Sequence, residues 1–234
     1  MPVIATRSDM KAVRYHAIFR HSTRLLACAV VQLVVGTALI ASQPSSATDL
    51  FDRLFARTLA KRQSIQSIRA RFTETTTSSL LEKPLVAHGT VIAAPPGRVL
   101  MTYTDPERRI IAIDGKTLVM AWPDRGEREK IDISQTQKQI DRYFAQASIA
   151  QLRSMFAITA EPDSTIREAD RIDMRPKRKQ ISEGLERLEL WIDRETLMLA
   201  QMRMTFPGGD LKTIRLEDVV VNVPLPDGTF QIRP

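Results

Sequence analysis

From residue 49 onwards the spacing of apolar residues switches between two periods, and the switches mark the elements. Leu50, Phe51, Leu54, Phe55 and Leu59 recur at i, i+3, i+4 spacing, with Arg53, Arg57, Lys61 and Arg62 elsewhere around the cylinder. This predicts a helix capped by Thr48 or Asp49 and ending near Gln66. Ile68, Ala70 and Phe72 then alternate with Arg69, Arg71 and Thr73, the period of a strand with one buried face. A polar linker at 75–83 leads to a strand at 85–93. Pro95-Pro96-Gly97 forces a turn, because neither proline can donate to a ladder and glycine accepts positive φ. Strands follow at 98–104, 109–113, 117–122 and 129–133, and Asp114-Gly115 between two of them is the strongest hairpin signal in the chain.

A second amphipathic helix is predicted over 136–156, with Ile140, Tyr143, Phe144, Ala147, Leu152, Met155 and Phe156 as its apolar stripe. The remainder reads as strands at 166–174, 185–192, 199–206 and 211–222, with a short terminal piece at Phe230. Pro207-Gly208-Gly209 and Pro226-Asp227-Gly228 supply turns between them. The order is helix, meander, helix, meander, and the short connections make the strands antiparallel. So many strands must curl and cover an apolar face. The predicted fold is therefore mostly β with helices (α+β), a strongly curved sheet with helices packed into its concave side.

Alternation assigns Phe72, Val91, Val99, Met101, Tyr103, Ile111, Ile113, Leu118, Met120, Leu188, Leu190, Met202, Met204 and Phe206 to that concave side. Such a face is either a filled core or the wall of a cavity, and alternation alone favours the core. Two features move the balance toward a cavity. Aromatics make up only 6% of the chain, and seven methionines follow residue 47, whose flexible thioethers suit a surface that repacks around guests.

The segment ahead of these elements has a different character. Arg7, Lys11, Arg14, Arg20 and Arg24 stand against one acid, Asp9, and are followed by an apolar run from Leu25 to Ala41 interrupted only by Gln32 and Thr37. Ser45 and Ala47 then occupy the −3 and −1 positions of a cleavage site. Basic, apolar and small-residue regions in that order predict a secretory signal peptide over 1–47 and a single exported domain over 48–234. An uncleaved anchor is the alternative, though the run barely spans a bilayer. Leu25-Leu26-Ala27-Cys28 has the look of a lipidation site, but apolar residues continue for a full stretch beyond the cysteine.

The leader also changes the charge picture. The whole chain of 234 residues carries a formal +7. Without residues 1–47 it holds 29 Lys+Arg and 26 Asp+Glu, a balance that removes the case for a nucleic-acid partner. Cys28 is the single cysteine, and His88 is the single histidine after residue 47. No glycine-rich phosphate loop, H-E-x-x-H or cysteine pair is present. The expectation is a protein without enzymatic activity, metal or cofactor.

One run resembles a known signature. Gly89, then Pro95-Pro96-Gly97-Arg98, Tyr103, Pro106 and Ile113-Asp114-Gly115-Lys116-Thr117-Leu118 follow the order and spacing of the LolA family of periplasmic lipoprotein carriers. Ser67-Ile68-Arg69-Ala70-Arg71-Phe72-Thr73 before it, Trp122-Pro123-Asp124 after it, and Asp210-Leu211-Lys212-Thr213-Ile214-Arg215-Leu216 with Asn222 extend the likeness over nearly all of 48–234. The resemblance implies an incomplete antiparallel barrel with a helical lid over an apolar cavity. It implies that acyl chains of lipoproteins are held there and carried from the inner to the outer membrane. It also implies loading by an inner-membrane ABC complex and delivery to an outer-membrane receptor, by a protein acting as a monomer. The acyl-chain wall is then Phe72, Val91, Val99, Met101, Tyr103, Ile111, Ile113, Leu118, Met120, Leu190, Met202 and Met204, and the lid is Ile140, Phe144, Leu152 and Phe156. The family usually has an arginine just before the proline of the turn, bonding the lid shut; here Pro95 stands there, and Arg98 is the candidate latch. Met101 likewise replaces a frequent strand tryptophan. Carriage of another envelope lipid, or a sensor or adaptor role on the same fold, is the alternative.

Overall fold

The computed structural model describes residues 49–95, 97–135, 148–166 and 168–232. The expected signal segment, and Ile140 and Phe144 of the expected lid, lie outside the described residues.

The first helix, α1 (Leu50–Gln63), begins where the Asp49 carboxylate accepts the Asp52 N–H at 3.0 Å and buries Phe51 and Leu54. It stops at Gln63, three residues before the expected end, because the N–H of Ser64 turns back onto the carbonyls of Arg62 and Lys61. The chain is then tied to the sheet by Asn222. Its side chain accepts the Gln66 N–H at 2.8 Å and donates to the Ser64 carbonyl at 3.1 Å. Asn222 sits at φ 58°, a left-handed conformation that asparagine tolerates better than most residues.

Eleven antiparallel strands form one sheet in the order β6-β5-β4-β3-β2-β1-β11-β10-β9-β8-β7. One meander comprises β1 (Ile68–Thr77), β2 (Leu85–Ala94), β3 (Arg98–Asp105), β4 (Arg109–Asp114), β5 (Thr117–Trp122) and β6 (Glu127–Asp132). The other comprises β7 (Phe156–Asp163), β8 (Ala169–Pro176), β9 (Arg187–Asp193), β10 (Leu199–Thr205) and β11 (Leu211–Val221). They join through β1 and β11, paired from Ile68↔Val221 to Thr77↔Leu211 with a bulge between Arg69 and Arg71. The sheet is open between β6 and β7 and curved, so that side chains from both meanders meet in one hydrophobic cluster.

Directly opposed residues of an antiparallel pair share a face, so the register identifies the concave side. Val91, Met101, Ile111 and Met120 face one another across β2 to β5, and Val99, Ile113 and Leu118 form the next row. In the other meander Ile172, Leu190, Met202 and Ile214 make the matching row. At its edge, on the convex side, Glu189 is 1% exposed. Arg187 lies 3.2 Å and Arg171 3.3 Å from it, and Arg203 lies 5.2 Å over the Trp191 ring. Long arginine side chains thus cover that part of the sheet from outside.

Several expected boundaries move. The 75–83 linker begins later, because Thr75 and Thr76 continue β1 between two partners and Thr77 still pairs with β11, as β-branched residues readily do. The helix expected over 136–156 has a cap within it. Ser148 and Gln151 form a reciprocal capping box, with Ser148 N–H to Gln151 Oε1 at 2.7 Å and Gln151 N–H to Ser148 Oγ at 3.2 Å. They open α2 (Ile149–Met155). Phe156, expected on the lid helix, is instead the first residue of β7, fully buried at φ −130°, ψ 143°. Phe156, Ile158 and Ala160 pair with Pro176, Met174 and Ile172 of β8, so the strand expected at 166–174 is β8, and β7 is an additional strand before it. A short helix, α3 (Lys179–Ser182), connects β8 to β9, and Phe230 is buried in a turn rather than a strand.

Candidate functional site

The concave side is the place where a sheet of this kind can hold something, and every expected wall residue is there. Phe72, Val91, Val99, Met101, Tyr103, Ile111, Ile113, Leu118, Met120, Leu190, Met202 and Met204 all belong to the central buried cluster. Phe51 and Leu54 of α1 and Leu152 and Met155 of α2 complete it from above. The middle of the sheet is thus packed against the two helices, with space left on either side.

The larger space is a cavity of about 460 Å³ at the β3–β6 end, within the size range of small-molecule sites. Of the expected wall, Tyr103 and Met120 line it, together with Leu85, Ala87, Pro106 and Trp122 and a set of charged residues. The smaller, about 100 Å³, lies under α1 between Phe51, Phe55, Leu152, Leu190, Ile192 and Leu199. Leu190 is the expected wall residue in it. Burial pushes the guanidinium of Arg62, at its edge, down to about 10.

Gly89 explains the glycine of the motif. It faces Phe72 on β1 and Tyr103 on β3. A Cβ there would lie 2.2 Å from the Thr102 carbonyl oxygen and 2.8 Å from the Phe72 ring. Without it the Phe72 ring fits over the strand and meets Tyr103 edge-on, centroids 4.9 Å apart at 76°.

Three polar residues beside Tyr103 on this side, Glu74, Lys212 and Arg109, were not foreseen as site residues. Glu74 and Lys212 are 5% and 4% exposed, and Lys212 Nζ donates to Glu74 Oε1 at 3.0 Å. The Tyr103 hydroxyl donates to Glu74 Oε2 at 2.9 Å. Arg109 lies over the Tyr103 ring at 3.8 Å. Burial works against the Glu74 carboxylate, yet the Lys212 and Arg109 charges and the two hydrogen bonds hold its pKa below the usual range. Burial, and then the Glu74 charge, push the Tyr103 phenol up, so it stays neutral and donates. The signal was available: Glu74, Arg109 and Lys212 stand in phase with the apolar positions of their strands.

The contact holding the two helices together was also missed. Arg153 of α2 pairs with Asp52 of α1 at 2.8 Å and with Asp49 at its cap, and lies 5.3 Å over the Phe51 ring. Lys177 Nζ donates to the Arg153 carbonyl at 2.8 Å, tying α2 to the end of β8. Arg98, the expected latch, donates instead to the Pro95 carbonyl at 3.1 Å and stacks on Phe230 at 5.0 Å. These contacts close its own turn onto the C-terminal segment. His88 is exposed on the outer face, 3.2 Å from the Thr73 hydroxyl. Among the described residues no group of three His, Cys, Asp or Glu is placed to hold a metal ion. Among the same residues no helix is long and apolar enough to cross a membrane.

The family model described as outer membrane lipoprotein carrier protein LolA matches residues 63–233. No curated protein matches the chain by sequence. Among solved structures, an uncharacterized conserved protein from Thermus thermophilus superposes with a TM-score of 0.51 at 12% identity, covering 78% of this chain and 93% of that one. The lipoprotein LppX of Mycobacterium tuberculosis gives 0.46 at 12% identity, covering 74% and 96%. A DUF1329 family protein from Desulfovibrio piger gives 0.41 at 10%, covering 79% and 98%. At such identities the likeness is one of fold.

Proposed function

Because the chain belongs to the LolA family of outer membrane lipoprotein carriers, we propose that it shelters the acyl chains of lipoproteins on its concave side and carries them from the inner to the outer membrane. The observation that supports this most is the apolar concave face with two helices over it, joined to each other through one arginine.

Magnitudes make exchange feasible without a nucleotide. Returning Phe51, Leu54, Leu152 and Met155 to water costs roughly 1.5–3 kcal/mol each. An acyl chain of about 15 CH₂ groups gains roughly 0.8 kcal/mol for each one buried. The two sums are similar, so cargo replaces helix side chains at little net cost. Met101, Met120, Met202 and Met204 adapt to the incoming chain, and Phe72, Val91, Val99, Tyr103, Ile111, Ile113, Leu118 and Leu190 complete the wall.

On this reading residues 1–47 are a cleaved signal peptide, the domain of 48–234 works in the periplasm, and its partners are an inner-membrane ABC complex and an outer-membrane receptor. The purified protein should take up an acylated fluorescent probe saturably and should release acylated protein from inner-membrane vesicles. Absence of uptake of any acylated ligand refutes the proposal. Uptake without release, combined with tight binding of a partner domain, would place the protein among sensors.

A further inference from the structure

The smaller cavity, under α1, is closed at one end by a residue in an unfavourable conformation. Its floor follows β9 from Leu190 to Ile192, and Leu199 on β10 lies directly across from Ile192. Leu197 and Met198, in the connection between these two strands, line the far end. Leu197 sits at φ 59°, a left-handed backbone that leucine occupies only at a cost, since its Cβ crowds the following carbonyl. Connections of this kind normally give that place to glycine or asparagine. The surrounding turn holds the strain in place. The Asp193 carboxylate accepts the Thr196 N–H at 2.7 Å and the Thr196 hydroxyl at 2.8 Å, and the Asp193 carbonyl accepts the Leu197 N–H at 2.9 Å.

Backbone strain of this kind gathers where a site clamps a ligand. Glycine at 197 would relieve the backbone and leave the cavity open toward the turn; leucine keeps the strain and fills that end. Met198 beside it carries a flexible thioether that yields to a guest, so the fixed stop is Leu197. At the opposite end Phe51 and Leu152 line the cavity and also belong to the central cluster. An acyl chain that displaces them from the apolar rows therefore enters this cavity tail first. Resting on the carrier function proposed above, we infer that Leu197 is a length gauge: the tail of the cargo's acyl chain ends against it, and its side chain sets the longest chain the concave side accepts.

Displacement of a bound acylated fluorescent probe by 1-monoacylglycerols of about 8 to 18 carbons tests this, with the head constant and only the chain varied. Affinity should rise about fourfold for each CH₂ buried and level off once the tail meets Leu197. Leu197→Gly and Leu197→Ala empty the same space, the first with relief of the backbone and the second without. Both should move the levelling-off point about two to four carbons longer. A chain about two carbons past the wild-type limit should then bind about 15-fold tighter. Arg153→Ala, which frees α1 from α2 and leaves the end of the cavity as it is, should change affinity for every length alike. An unchanged limit in both Leu197 variants, an equal shift in Arg153→Ala, or a wild-type affinity that climbs without levelling off overturns the gauge while acyl-chain binding stands. Failure of every chain length to displace the probe overturns the acyl-chain proposal itself.

Discussion

Arg153→Ala should loosen the helices without unfolding the sheet. Arg153 carries an ion pair with Asp52, another with Asp49, and a stack on Phe51. Its side chain is 35% exposed, and those of Asp52 and Asp49 are 27% and 53% exposed, so each pair is solvent-screened and contributes about 0.2–1 kcal/mol. The cation–π contact adds about 0.5–1 kcal/mol. Together roughly 1–3 kcal/mol of helix–helix attachment disappears, a shift of about 5- to 150-fold in the opening equilibrium. The hydrogen bond from the Asp52 N–H, opposed by burial and reinforced by Arg153, holds the Asp49 carboxyl below its usual range. Hydrogen exchange of amides in α1 should accelerate by that factor, while amides of β1 and β11 keep their protection. The rate of acyl-probe uptake should rise with it. Unchanged exchange in α1, or an equal acceleration throughout β1 and β11, would refute the idea that Arg153 holds a separately opening lid.

Further outcomes concern contacts made by the sheet. Lys212→Met leaves the Glu74 carboxylate buried with only Tyr103 and Arg109 beside it, and should cost about 3–5 kcal/mol in urea unfolding at pH 7. Since the folded pKa of Glu74 is depressed, its contribution is present above the unfolded glutamate value of about 4.3 and lost as pH falls through the folded one. Glu74→Gln should therefore flatten the stability curve below that pH. Gly89→Ala should cost about 3 kcal/mol, and adding Phe72→Leu should not restore it, because the closest clash is with the Thr102 backbone oxygen. Asn222→Ala, which loses two hydrogen bonds and leaves a Cβ at φ 58°, should lower stability by roughly 2–3 kcal/mol. Asn222→Gly should lower it by less.

The features legible in residue order alone are local. Periods of two and 3.6, caps and turn residues place most of the strands, the first helix to within three residues of its end, and the face on which Met101 or Ile111 points, because these depend on near neighbours and on water. Even the boundary missed at Ser148 was legible, in a Ser-x-x-Gln capping box and the Phe156, Ile158, Ala160 alternation behind it. Contacts between residues far apart in the chain become visible only once it is folded. Glu74 meets Lys212 across 138 positions and Arg153 meets Asp49 across 104, and no periodicity encodes such pairs. Whether the concave face is core or cavity belongs to the same class. Alternation says which side chains point inward, but the volume left between them depends on how far the sheet curls and where the helices rest, and that is settled by packing the whole chain at once.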